Sequence, residues 1–370
     1  MNQKTIALVS NNYWTLYKFR YDVIQMFVEE GYIVHLVAKE DIYHRYFKHK
    51  NIHIHFLSLE ERGVNIFREL FAFISIYKLH KKIKPSLIFN FTMKPNIYSN
   101  IAARMLGIKT VSMITGLGHI FIKANSLLRG LVIILLRISL KNTDQLWFTN
   151  KFDRDYFKKM KIVKNQKVSI VPGAGVIISK KEISRKINNG KNIFLMVSRL
   201  LKEKGTAEFL KAAAYFKNDS NKNFILIGAH SNDRDHIPIQ LLSRMCKEGT
   251  IKYHPYTDNI DKFMSDADCL IHPSYREGMS TILLEAASYK IPIITSEVPG
   301  CIDIVPNEKY GFLCKKGNVK TLIEQIVKFA NINANDSEII DSMVNNTYNH
   351  VSTNFDRSII LKKFKETVGS

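Results

Sequence analysis

Cysteine is scarce in this chain, and what there is carries no spacing for chemistry. Its four cysteines, Cys246, Cys269, Cys301 and Cys314, form no Cys-x-x-Cys pair. That pattern argues against a structural zinc and against a disulfide framework, and it fits a reducing cytoplasm. Cys269 falls in an apolar run and reads as a core thiol. Long hydrophobic runs are also missing. The most apolar stretch, residues 131–136 between Arg129 and Arg137, is far short of the roughly 20 residues that span a bilayer. The N-terminus passes through a polar start into a short apolar strand at residues 5–10 without a signal-peptide pattern, so a cytoplasmic location is expected. The turn after that strand lacks Gly-x-Gly-x-x-Gly, which argues against a dinucleotide enzyme. No internal repeat and no low-complexity tract interrupts the chain.

Negative charge is in short supply. Lys and Arg number 54 against 33 Asp and Glu, for a formal net charge of +21. Such an excess implies an anionic partner: nucleic acid, an anionic membrane surface or a polyphosphate substrate. None of the common nucleic-acid modules is present. Dispersed cations with apolar patches suit a peripheral membrane surface better than nucleic acid. The helical stretch at residues 126–140 has few polar positions and is expected in a core or between domains; the alternative is a place on the bilayer surface. The final stretch, 356–367, carries Arg357, Lys362, Lys363 and Lys365, a face that could touch lipid headgroups.

What is present is a chain of 370 residues, 46% hydrophobic and 24% charged, long enough for two domains. Strand-like runs alternate with helical spacing throughout, which marks an α/β protein. A Gly-rich, then Lys/Ser/Asn-rich stretch at residues 172–190 reads as the crossing between domains. The expected division is residues 1–175, with a C-terminal helix at 356–370 packing back on them, and residues 176–355.

Residues 267–300 organise the second part. Residues 267–272 read as a buried strand, 274–281 as a polar loop, 282–289 as a helix, and 291–295 as another strand closed by Pro299-Gly300. In an open parallel sheet, ligands bind outside the carboxyl ends of the strands. The loop there carries Glu277, Gly278, Met279, Ser280 and Thr281, with Glu285 in the following helix. A helix start suits a phosphate, and a carboxylate accepts from sugar hydroxyls. Together they point to a sugar attached to a phosphate. A surface Glu and a helix-face Glu without a ligand is the plainer alternative.

The segment SYREGMSTILLEA, with Glu277 and Glu285 eight positions apart, resembles the Glu-x7-Glu segment of family 4 glycosyltransferases, retaining enzymes of the GT-B fold. VSRLLKEKG, residues 197–205, resembles that family's strand-end Arg and Lys, and VPGAGV, residues 171–176, its interdomain segment. The resemblance implies two doubly wound, Rossmann-like domains facing a cleft. It implies a nucleotide-sugar donor, a UDP-sugar in this reading, held on the second domain by Ser198, Arg199, Lys204, Glu277, Gly278, Met279, Ser280, Thr281 and Glu285. It also implies retention at the anomeric carbon with no cofactor and no metal. The acceptor is expected on the first domain, near Asn11, Trp14, Arg20, Lys94 and Gly116. Trp14 as a packing aromatic and Arg20 as a helix-surface cation are the alternatives. Relatives carry a His near the end of the strand at 109–114. In the family that His contacts the donor sugar; here Gly116 is nearest that place and His119, the candidate for the role, comes slightly later, a departure from the pattern. Absence of a spanning segment, with the basic charge, suggests a lipid-linked saccharide acceptor at the inner face of the plasma membrane. Two other readings stay open: a UDP-sugar 2-epimerase of the same fold, and a non-enzymatic anion- or membrane-binding protein.

Overall fold

The computed structural model describes residues 4–58, 65–117, 126–164, 166–178, 191–230, 235–257 and 259–369. The chain divides into two compact units, Met1–Ala174 with Ser358–Ser370, and Gly175–Arg357. Among the described residues no helix is long and apolar enough to cross a membrane.

The first unit is built on a seven-stranded sheet. Its strands are β1 (Thr5–Asn12), β2 (Ile33–Lys39), β3 (Ile52–Phe56), β4 (Leu87–Phe91), β5 (Lys109–Ile114), β6 (Gln145–Phe148) and β7 (Lys167–Ile170). They lie in the order β3-β2-β1-β4-β5-β6-β7, and every pair is parallel. Side chains alternate across a strand, and β1 shows the consequence. Ile6 and Leu8 pack with α1 (Tyr13–Glu29), while Ala7 and Val9 pack with α2 (Ile66–Ile83) and α3 (Met93–Met105). Helix α4 (Ser126–Ser139) follows α3 on that second face, and α5 (Lys151–Lys159) precedes β7.

The C-terminal helix α12 (Arg357–Gly369) belongs to this unit's core, as the sequence led one to expect. Phe364 is fully buried, 5.0 Å from the Phe89 ring and 4.9 Å from the Trp147 ring. Arg20, expected near the acceptor, is buried here instead. Its guanidinium lies over the rings of Phe91, at 4.7 Å, and Phe364, at 5.7 Å. It also donates to the carbonyls of Phe19 and Gly173, at 2.9 and 3.0 Å. Arg20 thus ties α1 to α12 and to the end of this unit's chain.

The second unit has a six-stranded parallel sheet in the order β10-β9-β8-β11-β12-β13. The strands are β8 (Asn192–Val197), β9 (Lys222–Ile227), β10 (Lys252–His254), β11 (Cys269–His272), β12 (Ile293–Ser296) and β13 (Phe312–Cys314). The interleaved helices are α6 (Thr206–Tyr215), α7 (Ile239–Lys247), α8 (Asp261–Asp266), α9 (Thr281–Ser288), α10 (Val319–Asn335) and α11 (Ser337–Phe355). Phe194, Phe209, Ile271 and Phe312 fill one face, and Leu195, Leu270, Leu284 and Val351 fill the other. Strand order reverses direction between β1 and β4 in the first sheet and between β8 and β11 in the second. These switch points are where ligands enter sheets of this kind.

Candidate functional site

At the second switch point two loops leave neighbouring strands and are fastened together. Strand β8 ends at Val197 and runs through Ser198 and Arg199 into a tight turn at Lys202–Lys204, before Gly205 opens α6. Gly205 has φ +75°, and a Cβ there would lie 2.1 Å from the Pro273 carbonyl oxygen. Only glycine lets the first loop rest directly on the end of β11. Tyr275 N–H then donates to the Glu203 carbonyl at 2.9 Å, and the Ser274 hydroxyl reaches the same oxygen at 3.3 Å. On the other side the Glu277 N–H donates to the Pro299 carbonyl at 3.2 Å. A Cβ on Gly300 would meet the Glu277 carbonyl oxygen at 2.6 Å. Glu277 is therefore held between the loops that follow β8 and β12.

This packing brings Lys204, Glu277 and His272 into one cluster. Lys204 Nζ donates to Glu277 Oε1 at 2.6 Å and Oε2 at 2.8 Å. His272, the last residue of β11, places Nε2 3.0 Å from Oε1. A carboxylate can only accept, so Nε2 carries the proton. The side chains of Glu277, Lys204 and His272 are 10%, 17% and 4% exposed, so the three meet largely out of water. Burial, the strongest single influence on Glu277, favours its neutral form. The Lys204 ammonium and the His272 hydrogen bond together outweigh it and hold the carboxyl well below the usual carboxylate range. Each carboxylate oxygen has about two acceptor directions. Oε1 fills both within the cluster; Oε2 keeps one, and Lys204 keeps one of its three N–H directions.

The remaining expected donor-site residues lie on the same two loops and on α9. Arg199 is exposed just beyond β8, and no ion pair holds it among the described residues. Ser198 is half-buried beside it. Ser280 is the residue before α9, in extended conformation, and no side chain caps the helix. Its first turn thus presents backbone N–H groups next to Gly278, Met279 and Thr281. Glu285 lies on the second turn of α9, half-buried. Behind the loop, the Tyr275 hydroxyl donates to Glu208 Oε1 at 2.7 Å; burial first, then that carboxylate, push the phenol up to about 12. His272 was not legible as a site residue. Its one signal is a polar ring ending an apolar strand, directly before Pro273.

In the first unit the expected acceptor residues separate. Asn11 is the penultimate residue of β1, at the switch point, and its Oδ1 is buried without a hydrogen-bond donor among the described residues. No loop intervenes before α1, because Asn12 caps the helix by accepting from the Thr15 N–H at 2.9 Å. Trp14 is therefore helical, its backbone N–H donating to Asp41 Oδ2 at 2.9 Å and its ring edge-on to Phe19. Lys94, expected as a cleft cation, lies in the first turn of α3 and is paired with Glu69 of α2. Gly116, just past β5, has φ +141°, which glycine alone tolerates readily. His119 lies outside the described residues.

Among the described residues no group of three His, Cys, Asp or Glu side chains is placed to hold a metal ion. The sequence does contain Asp-x-Asp tripeptides, at 153–155, 233–235 and 266–268. Their two described instances do structural work. Asp153 lies in the capping turn of α5, its N–H bound to Asn150 at 2.7 Å, and Asp268 accepts from the Ile193 N–H at 2.7 Å, at the amino edge of the sheet.

Comparison with known proteins gives this geometry a family. The model for "Glycosyl transferases group 1" matches residues 178–350, and that for "Glycosyl transferase 4-like" matches residues 5–150. The chain is 26% identical over 338 residues to N,N'-diacetylbacillosaminyl-diphospho-undecaprenol alpha-1,3-N-acetylgalactosaminyltransferase of Campylobacter jejuni, covering 87% of this chain and 88% of that one. It is 24% identical to UDP-Gal:alpha-D-GlcNAc-diphosphoundecaprenol alpha-1,3-galactosyltransferase of Escherichia coli, covering 92% and 90%. The solved structure of Anabaena HepE in complex with UDP and glucose superposes with a TM-score of 0.78 at 15% identity, over 99% of this chain and 100% of that one. The two sheets and their switch points are accordingly those of a GT-B protein, and the chain is an enzyme that belongs to the family 4-like, group 1 glycosyltransferases.

Proposed function

We propose that the protein moves a hexose or N-acetylhexosamine from a UDP-sugar to a lipid-linked saccharide, with retention at the anomeric carbon and without a metal. The observation that carries this reading is the Lys204–Glu277–His272 cluster, a cation and a carboxylate set side by side at a switch point. The free N–H direction of Lys204 and the Arg199 guanidinium neutralise the donor diphosphate. They also meet the charge that grows on it as the bond to the sugar breaks. Glu277 Oε2 accepts from a donor-sugar hydroxyl. The backbone N–H groups of Met279 and Thr281 hold phosphate or hydroxyl oxygens, and Glu285 accepts from the ribose. Ser198 and Ser280 drop out as donors, because the Ser198 hydroxyl donates to the Arg199 carbonyl at 3.0 Å and the Ser280 N–H to the Gly300 carbonyl at 3.4 Å.

In the reaction, the bond from the anomeric carbon to the diphosphate oxygen breaks. The acceptor hydroxyl oxygen bonds to that carbon on the same face, and its proton passes to the departing phosphate oxygen. The acceptor docks at the switch point of the first unit. There the buried Asn11 Oδ1 offers an unused acceptor to a sugar hydroxyl, with Trp14 and Gly116 as further acceptor contacts, while His119 contacts the donor sugar. Arg20 and Lys94 drop out of that set, because their charges are engaged within the fold. Two relatives named for diphospho-undecaprenol saccharides support the lipid-linked acceptor, and a UDP-bound structural neighbour supports the donor class. A lipid-anchored acceptor in turn places the enzyme peripherally on the inner face of the plasma membrane.

The test is incubation with each of a panel of UDP-sugars, with and without an undecaprenyl-diphosphate-linked saccharide, reading UDP release and product configuration. Acceptor-dependent release with the donor's anomeric configuration is expected. Release without acceptor would mean hydrolysis, isomerisation of the UDP-sugar an epimerase, and an inverted product would overturn retention.

A further inference from the structure

Two helices of the first unit expose rows of large apolar side chains. On α2 the row is Phe67, Leu70, Phe71 and Ile74; on α4 it is Leu127, Leu131, Ile134 and Ile138. Spacings of three and four residues put each row on one side of its helix. The opposite sides supply the core, through Ala72 and Ile76 on α2 and Val132 and Leu136 on α4. Helix α4 is thus only half a core helix. The row residues nearest each helix start, Phe67 and Leu127, are 84% and 82% exposed.

The two rows share a location. Helix α3 lies between α2 and α4 and packs against both, so the rows flank it on one face of the sheet. All strands are parallel, and each of these helices returns antiparallel to the strand before it. The first turns of α2 and α4 therefore stand at the carboxyl edge of the sheet, the edge at which β1 and β4 diverge. Cations border the rows: Lys78, Lys81 and Lys82 are exposed further along α2, and Arg129 and Lys141 are exposed at α4 and just beyond it.

We infer that these rows form a docking face for an anionic lipid bilayer, which brings the carboxyl edge of the first sheet to acceptors anchored in that bilayer. The inference rests on the lipid-linked acceptor proposed above. Exposed apolar surface on this scale signals a partner, and the charge selects it. A second copy would set these lysines and arginines against their own kind in a chain of net charge +21. Anionic headgroups complement them while the apolar tips enter the acyl boundary.

The experiment is co-sedimentation of the full chain with sucrose-loaded vesicles, either of phosphatidylcholine with phosphatidylglycerol or of phosphatidylcholine alone. The variants are Phe67→Ser/Phe71→Ser/Ile74→Ser, Leu127→Ser/Leu131→Ser/Ile134→Ser and Lys78→Gln/Lys81→Gln/Lys82→Gln. Wild type should bind the mixed vesicles, and each Ser variant should bind them at least about tenfold more weakly. The Gln variant should lose binding to mixed vesicles only. All three should keep wild-type turnover of a short-chain, water-soluble diphosphate-linked saccharide. Wild type that ignores mixed vesicles, or Ser variants that bind like wild type, would overturn the inference. So would a wild-type dimer, seen by light scattering, that the Ser variants dissolve, or a Ser variant that loses turnover of the soluble acceptor. If wild type itself fails to turn over the soluble acceptor with any UDP-sugar, it is the proposed reaction that has failed.

Discussion

Lys204 Nζ sits 2.6 Å and 2.8 Å from the two carboxylate oxygens of Glu277. Cation and anion come from loops after different strands, 73 residues apart in the chain, and they hold each other within the fold. Each keeps one hydrogen-bonding direction for a ligand. In the proposed reaction, a site with its charges already oriented spends little on reorganisation as the diphosphate leaves.

His272 reaches the site only through Glu277 Oε1, so in the proposed reaction it acts as a positioning residue. His272→Ala should lower kcat about tenfold, roughly the worth of one charge-assisted hydrogen bond, with little change in the KM for the UDP-sugar. Steady-state kinetics separate the two. A change confined to KM would show that His272 serves ground-state binding instead.

Glu277 should make stability depend on acid. Its folded carboxyl is held below its unfolded value, so its contribution is present above the unfolded value and is lost as pH falls through the range below it. The difference in urea stability between wild type and Glu277→Gln should be constant from about pH 7 to about pH 5 and should close below about pH 4. A gap that does not vary with pH down to about 3 would contradict the ion pair.

Histidines of the first unit should add a second acid-sensitive step. Burial, then His55 and His53, bring His35 down to about 4; burial, then His55, bring His80 to about 4. His35 Nδ1 is 2.8 Å from His55 Nε2, its ring is stacked on His53, and His80 binds the Ser99 hydroxyl at 2.9 Å. Both histidines are neutral when folded and gain protons when unfolded, so stability falls as pH drops below about 6.5 toward about 4. Urea midpoints between about pH 7 and about pH 5 should decline more steeply for wild type than for His35→Gln/His80→Gln. Parallel slopes would sink this expectation.

Glycines at two positions should respond in opposite ways to alanine. Gly205→Ala forces a Cβ to 2.1 Å from the Pro273 carbonyl oxygen at φ +75°, so the loop carrying Lys204 must move. Thermal stability should drop by several degrees and kcat/KM by about tenfold or more. Gly130, inside α4, has nothing within 4 Å of such a Cβ. Gly130→Ala should stabilise by up to about 1 kcal/mol and leave turnover unchanged. Calorimetry and steady-state kinetics on both variants check the contrast.

Much of the fold is legible in the sequence because parallel strands, buried on both faces, read as short apolar runs between Gly and Pro. The strand, loop, helix and strand of residues 267–300 show this, as does the return of the last helix to the first unit. Helices α7 and α8 escaped because they are short and lie among polar residues. Side-chain partners were harder to read. Arg20 sits in a helix whose spacing does not reveal that Phe364 and Gly173, from distant segments, close over it. Lys94 looked like a strand-end cation, yet α3 starts before it and Glu69 of the neighbouring helix takes its charge. Helix α4 read as core because its sequence has few polar positions, whereas its exposed side is apolar as well.

The most direct measurement compares acceptor-dependent UDP release by wild type and by Glu277→Gln, with UDP binding measured on both by calorimetry. The Gln side chain keeps the shape at this position but gives up the charge that faces Lys204. The account predicts that both proteins bind UDP and that kcat/KM falls about a hundredfold or more in the variant. Release at the wild-type rate by a folded, UDP-binding Glu277→Gln would contradict it.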